Sequence, residues 1–92
     1  MTQLTKRVCI INKLGLHARA AAKFVNVAKQ HECSVRVGGD EQQMVDGKSI
    51  MQVMMLAASK GSEICISCEG EHAEQAMAEL IGLINDYFGE GE

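Results

Sequence analysis

What most constrains this chain is its alternation of hydrophobic periods. Apolar residues recur at helical spacing over residues 17–30, 49–59 and 73–88, and strand-like runs at 4–11, 33–37, 43–45 and 63–68 separate them. The order βαββαβα predicts an α+β fold: an open-faced β-sandwich in which a four-stranded antiparallel sheet is covered on one face by three helices. Within the first strand Leu4, Val8 and Ile10 share a face that Lys6 interrupts, and in the first helix Ala21, Phe24, Val25 and Ala28 form the core stripe. The turn Gly38-Gly39-Asp40-Glu41 suits a hairpin, Asp46-Gly47 ends the third strand, and the tail Gly89-Glu90-Gly91-Glu92 is expected to fray. The pattern runs through the 92 residues once, without repeat or linker, so residues 1–92 read as a single domain with one core.

At 47% hydrophobic and 23% charged residues the chain can build that core, which sets aside disordered and low-complexity classes. Its longest apolar run, 53–58, is far short of the ~18 residues that cross a bilayer, so a soluble, cytoplasmic protein without membrane insertion is expected. In that compartment Cys9, Cys33, Cys65 and Cys68 should be reduced, buried and inert. Charge is unevenly spread. Residues 1–30 carry Lys6, Arg7, Lys13, Arg19, Lys23 and Lys29 with no acid, whereas the remainder carries three basic side chains against twelve acids. The basic third suits an anionic ligand or an acidic partner, or simply forms a solvated face.

Several motifs fail on physical grounds. Cys65 and Cys68 have a metal or redox spacing, but on a strand positions three apart face opposite sides of the sheet, and no metal or cofactor is expected. Gly47-Lys48-Ser49 ends like a phosphate-binding loop, yet Gln42 stands where that loop requires glycine. Phe24, Tyr87 and Phe88 are the aromatics, all on predicted helices, so the sheet has no stacking platform for nucleic acid. The run Ile50, Met51, Met54, Met55 and Leu56 is apolar over too wide an arc for one buried face. It either presents an adaptable contact surface or packs wholly inside.

His17 opens the first helix, and no Ser, Thr, Asp or Asn precedes it as a cap, so the amides of Ala18, Arg19 and Ala20 can serve an outside anion. The positive end of the helix dipole favours the neutral ring, whose free nitrogen can attack an electrophile, and Arg19 lies within reach of an added anion. A neutral nucleophile, an anion cradle and a guanidinium together describe a phosphoryl acceptor. A histidine at a helix start also serves as a cap or a bystander, and the pattern alone does not choose. His31 and His72 lack such company and are expected at the surface.

The segment NKLGLHARAAAKF, residues 12–24, resembles the active-site stretch of the histidine-containing phosphocarrier family (HPr and NPr) of the bacterial phosphotransferase system. GKSIMQVMMLAASKG, residues 47–61, resembles that family's second helix, and the likeness covers nearly the whole chain. The resemblance implies an HPr-like fold and a stoichiometric carrier rather than a turnover enzyme. His17 would be phosphorylated on Nδ1 with Arg19 assisting, and Ser49 would be the regulatory serine of a dedicated HPr kinase/phosphorylase, though its hydroxyl could equally be a helix cap. Ala20 stands where relatives commonly carry the proline of H-x-R-P; proline pre-sets the helix start, so Ala20 should loosen the site without abolishing acceptance.

The partners so implied are enzyme I, charged from phosphoenolpyruvate, and IIA proteins, met by a monomer through Lys23, Lys48, Ile50, Met51 and Met54. The active-site loop is closer to the nitrogen-branch members and the serine helix to the sugar-branch ones, so both branches stay open. A rival of another class is a regulatory module of the same fold that docks without obligatory phosphate turnover; a third is a small-anion sensor at the first helix. The pairing of His17 with Arg19 favours the carrier, since a pure adaptor needs neither.

Overall fold

The computed structural model describes residues 3–91. Its elements are β1 (Gln3–Cys9), α1 (Ala18–Lys29), β2 (Ser34–Gly38), β3 (Met44–Asp46), α2 (Ile50–Met54), β4 (Glu63–Glu69), α3 (Ala73–Asn85) and a final 3-10 turn (Tyr87–Gly89). The four strands form one sheet in the order β1-β4-β2-β3, antiparallel throughout, with Leu4 opposite Cys68, Val35 opposite Cys68 and Val37 opposite Val45. This is the α+β arrangement expected from the order of periods.

Packing explains the alternation. Ile64, Ile66 and Cys68 of β4 and Val35 and Val37 of β2 meet Ala20, Ala21, Phe24, Val25 and Ala28 of α1 and Ala73, Ala76, Met77, Leu80 and Ile84 of α3 in one fully buried cluster. Small residues on α1 let the helix lie close to the sheet while Phe24 fills the middle, and burying each large side chain contributes about 1.5–3 kcal/mol. Lys6, at the break in the β1 stripe, is exposed.

Two helices end earlier than their periodicity suggests. Regular α2 stops at Met54, followed by turns in which Leu56 and Ala57 donate to Val53 and Met54, because Ala57 takes a left-handed φ of 50°. That reversal brings the Ala58 carbonyl to the Leu16 amide at 2.8 Å. Likewise α3 stops at Asn85, and Tyr87 and Phe88 turn left-handed (φ 57° and 52°), which carries the Phe88 ring back into the core, where it is fully buried. The tail therefore does not fray through Glu90, which is docked as described below. Glu92, the last residue of that expectation, lies outside the described residues.

Other expectations also need correction. His31 is buried: where α1 gives way to β2 its ring tucks towards α3, with Nε2 3.2 Å from Glu79 Oε1 but off the hydrogen-bonding direction. His72 is exposed at the start of α3, as anticipated. Cys9 lies on the exposed side of β1, whereas Cys33, Cys65 and Cys68 are buried. Burial and the neighbouring Cys33 push the Cys68 thiol up to about 11, which holds it protonated.

Candidate functional site

The loop between β1 and α1 is fixed at both ends. Its Gly15 amide donates to the Asn12 carbonyl at 3.2 Å, Asn12 Nδ2 returns a bond to the Gly15 carbonyl at 2.8 Å, and Leu16 is pinned to Ala58. Gly15 has φ +69°, and a Cβ there would stand 2.5 Å from the Ala58 oxygen, so the close approach that sets the loop requires glycine. This loop delivers His17 to the start of α1 with its side chain 27% exposed.

His17 is itself the cap of α1. In extended backbone geometry, its Nδ1 accepts from the Arg19 amide at 3.3 Å. One of the three amides expected to face an outside anion is thus engaged by the histidine; Ala18 and Ala20 share the same first turn, where N–H groups point out of the helix. Because Nδ1 accepts, it carries a lone pair and the ring hydrogen belongs on Nε2. Nε2 in turn meets Glu90 Oε2.

Glu90 was invisible to sequence reasoning. Its other carboxylate oxygen accepts from Asn12 Nδ2 at 3.0 Å, and the side chain is only 12% exposed. Burial alone would raise its carboxyl. The hydrogen bonds from Asn12 and His17, together with the charge of Lys23, outweigh burial and hold it below the usual carboxylate value. Asn12 is fully buried, and the two bonds from Nδ2 leave its Oδ1 without a partner among the described residues. The signal was confined to an acid in a glycine-rich tail and an asparagine in a loop, 78 residues apart.

An open hollow of about 360 Å³ beside the ring is lined by Lys13, Leu14, Arg19, Lys23, Gly89 and Glu90. Its basic members belong to the basic N-terminal third and would draw an anionic group towards His17. Lys23 also secures the tail, its Nζ donating to the Phe88 carbonyl at 2.6 Å.

The remaining residues singled out lie on and around α2. Ser49 caps that helix, its Oγ accepting from the Gln52 amide at 3.4 Å. Ile50, Met51, Met54 and Met55 are exposed, Met51 at 69% and Met55 at 78%, while Val53 alone of the helix is buried. Lys48 is half-buried and donates to the His31 carbonyl at 2.7 Å, tying the start of α2 to the end of α1. The structure thus brings Arg19 and Lys23 to one hollow, which His17 adjoins through Glu90, and sets Ser49, Ile50, Met51 and Met54 on and at the start of α2, which packs against α1. Among the described residues no group of three or more His, Cys, Asp or Glu side chains could hold a metal ion, and no helix is long and apolar enough to cross a membrane.

Comparison with known proteins gives one family. The family model described as the PTS HPr component phosphorylation site matches residues 4–86. The chain is 59% identical over 85 residues to phosphocarrier protein HPr of Pseudomonas aeruginosa, covering 92% of this chain and 94% of that one. It is 35% identical over 81 residues to phosphocarrier protein NPr of Escherichia coli, covering 88% and 90%. Among solved structures, HPr-C-His from Thermoanaerobacter tengcongensis superposes with a TM-score of 0.85 at 40% identity, covering 98% of both chains.

Proposed function

The chain belongs to the PTS HPr family and is a phosphocarrier of the phosphotransferase system, and from that premise we propose that it carries the phosphoryl group on His17 Nδ1. The family interacts with enzymes of the phosphotransferase system. Here the donor is enzyme I, charged from phosphoenolpyruvate, and the acceptor a IIA protein.

One observation carries the assignment of the nitrogen. Nδ1 accepts the Arg19 amide at the open end of α1, so its lone pair faces the positive end of the helix dipole. The Arg19 amide releases Nδ1, the freed lone pair attacks phosphorus, the Nδ1–P bond forms, and the bond to the donor breaks with its electron pair leaving on the donor. The arriving phosphoryl oxygens are met by the amides of Ala18, Arg19 and Ala20 and by the Arg19 guanidinium, which stabilise charge as it develops. The acceptor reverses the step and the pair returns to Nδ1. Ala20, where a proline is common in the family, takes no part in either bond.

Docking falls to the exposed Ile50, Met51 and Met54 of α2, the helix packed against α1, a polarizable apolar patch suited to more than one partner. Lys23 and Lys48 add positive charge around it even though each is anchored to a carbonyl, so the encounter with acidic partners should weaken with salt. Phosphorylation of Ser49 by HPr kinase/phosphorylase would put roughly −1.5 to −2 charges in that face and replace a helix cap, repelling the same partners. The carrier works as a monomer in the cytoplasm.

Incubation with enzyme I and phosphoenolpyruvate tests the reading: an acid-labile label that disappears in His17→Ala and passes on to a IIA protein is expected. No label, or one that survives His17→Ala, refutes it. Label that forms but never moves on favours the docking module instead.

A further inference from the structure

The transfer step described above uses Nδ1 and the start of α1; it gives no task to the carboxylate on the other side of the ring. We infer that Glu90 is a positioning residue for phosphoryl transfer, holding the His17 ring through Nε2–H and balancing the positive charge the ring acquires when Nδ1 is phosphorylated. The inference rests on the carrier reading.

The carboxylate is built into its place. Asn12, itself fully buried, grips one Glu90 oxygen at 3.0 Å while holding the Gly15 carbonyl at 2.8 Å, so the loop that orients His17 and the group that holds its ring share one side chain. Two residues before Glu90 the buried Phe88 ring and the 2.6 Å bond from Lys23 to the Phe88 carbonyl fix the tail. The chain reaches this position through successive left-handed residues, Tyr87, Phe88 and Gly89 at φ 57°, 52° and 75°. Two of these are not glycine, a conformation that persists only where surrounding packing over-determines it.

The chemistry calls for such a group. When Nδ1 forms its bond to phosphorus and the donor leaves with the old bonding pair, Nε2 keeps its proton and the ring becomes cationic. When the acceptor attacks, the N–P pair returns to Nδ1 and a neutral imidazole departs. If Nε2 lost its proton in between, the departing group would be an imidazolate, a much poorer leaving group. The charged residues lining the hollow are Lys13, Arg19, Lys23 and Glu90, so Glu90 supplies the one negative charge among three positive ones. A hydrogen-bonded anion on the second nitrogen is the arrangement that fixes a ring's tautomer and orientation at other histidine sites.

The test compares the full chain with Glu90→Gln, which keeps the shape and removes the charge, and Glu90→Asp, which keeps the charge. Rapid-quench measurements follow charging by enzyme I and discharge to a IIA protein, and NMR follows the His17 Nε2–H proton. Glu90→Gln should slow both directions about tenfold through kcat with little change in KM, the lower end of what loss of an orienting carboxylate costs. Its Nε2–H resonance should move upfield and exchange faster with water, and Glu90→Asp should recover most of the rate. Unchanged or faster transfer in Glu90→Gln overturns the inference and leaves the carrier reading intact. A wild-type protein that takes no label on His17 removes the carrier reading and this role with it.

Discussion

Phe88→Ala should cost the protein about 3 kcal/mol, and the loss should be felt at the site as well as in the core. The ring is fully buried, and truncating a buried phenylalanine costs about 3–5 kcal/mol; next to the exposed Gly89 the neighbours can partly close over the gap, which sets the lower figure. For a domain of this size a urea slope of about 1 kcal/mol/M turns that into a midpoint lower by about 3 M. The same loss lowers Tm by roughly 12–24 °C. Far-UV circular dichroism during urea titration reads the midpoint, with the slope checked for constancy. The Lys23 bond to the Phe88 carbonyl and the Glu90 contact depend on the same anchor, so the His17 Nε2–H proton should exchange faster in the variant. A midpoint that falls by less than about 1 M at unchanged slope would refute the argument that tail packing is part of the core.

Gly15→Ala should lose about 2 kcal/mol or more, since the added Cβ meets the Ala58 oxygen at 2.5 Å in a left-handed position, whereas Gly61→Ala, left-handed but with open space around it, should lose about 1 kcal/mol; paired thermal melts give the difference. Because the Glu90 carboxyl is held below its ordinary value, its contribution is fully present above pH 4.5 and is lost as the pH falls through the lowered value. The stability gap between wild type and Glu90→Gln should therefore hold steady from pH 7 to about pH 5 and close in stronger acid, as urea midpoints across that range would show; a gap that widens in acid contradicts the sign. With Cys9 exposed and the other three thiols buried, a thiol reagent should take one equivalent quickly from the native protein and the rest only on unfolding. Rapid reaction of Cys68, raised to about 11, would contradict its protonated, enclosed state.

The elements were legible because their causes are local. Ala21, Phe24, Val25 and Ala28 repeat at helical spacing whatever they pack against, and His17, read from the sequence as the first residue of the helix, lies one residue before it as the cap. Helix ends were less legible: α2 and α3 stop where Ala57 and Tyr87 reverse the chain, and those reversals serve contacts with Leu16 and the central core that local pattern does not encode. His31 looked solvent-facing because nothing near it in sequence covers it; α3 does. The same limit hid half of the site. His17 and Arg19 are neighbours in the chain, but Glu90 is 73 residues from His17, and a glycine-flanked acid near the chain end resembles any solvated tail.

The strand order has a consequence for how the molecule is made. β1 is translated before β4, its strand partner among the described residues, paired from Gln3 with Glu69 to Cys9 with Glu63. Until those residues have been translated, Leu4 and Val8 lack their neighbouring strand, and the apolar stripe of α1 lacks Ile64, Ile66 and Cys68 from the surface that covers it. Such non-local closure is entropically slow and leaves sticky segments open to self-association. A translational pause placed between β1 and β4 should therefore lengthen that exposure and favour self-association, whereas one placed after β4 should not.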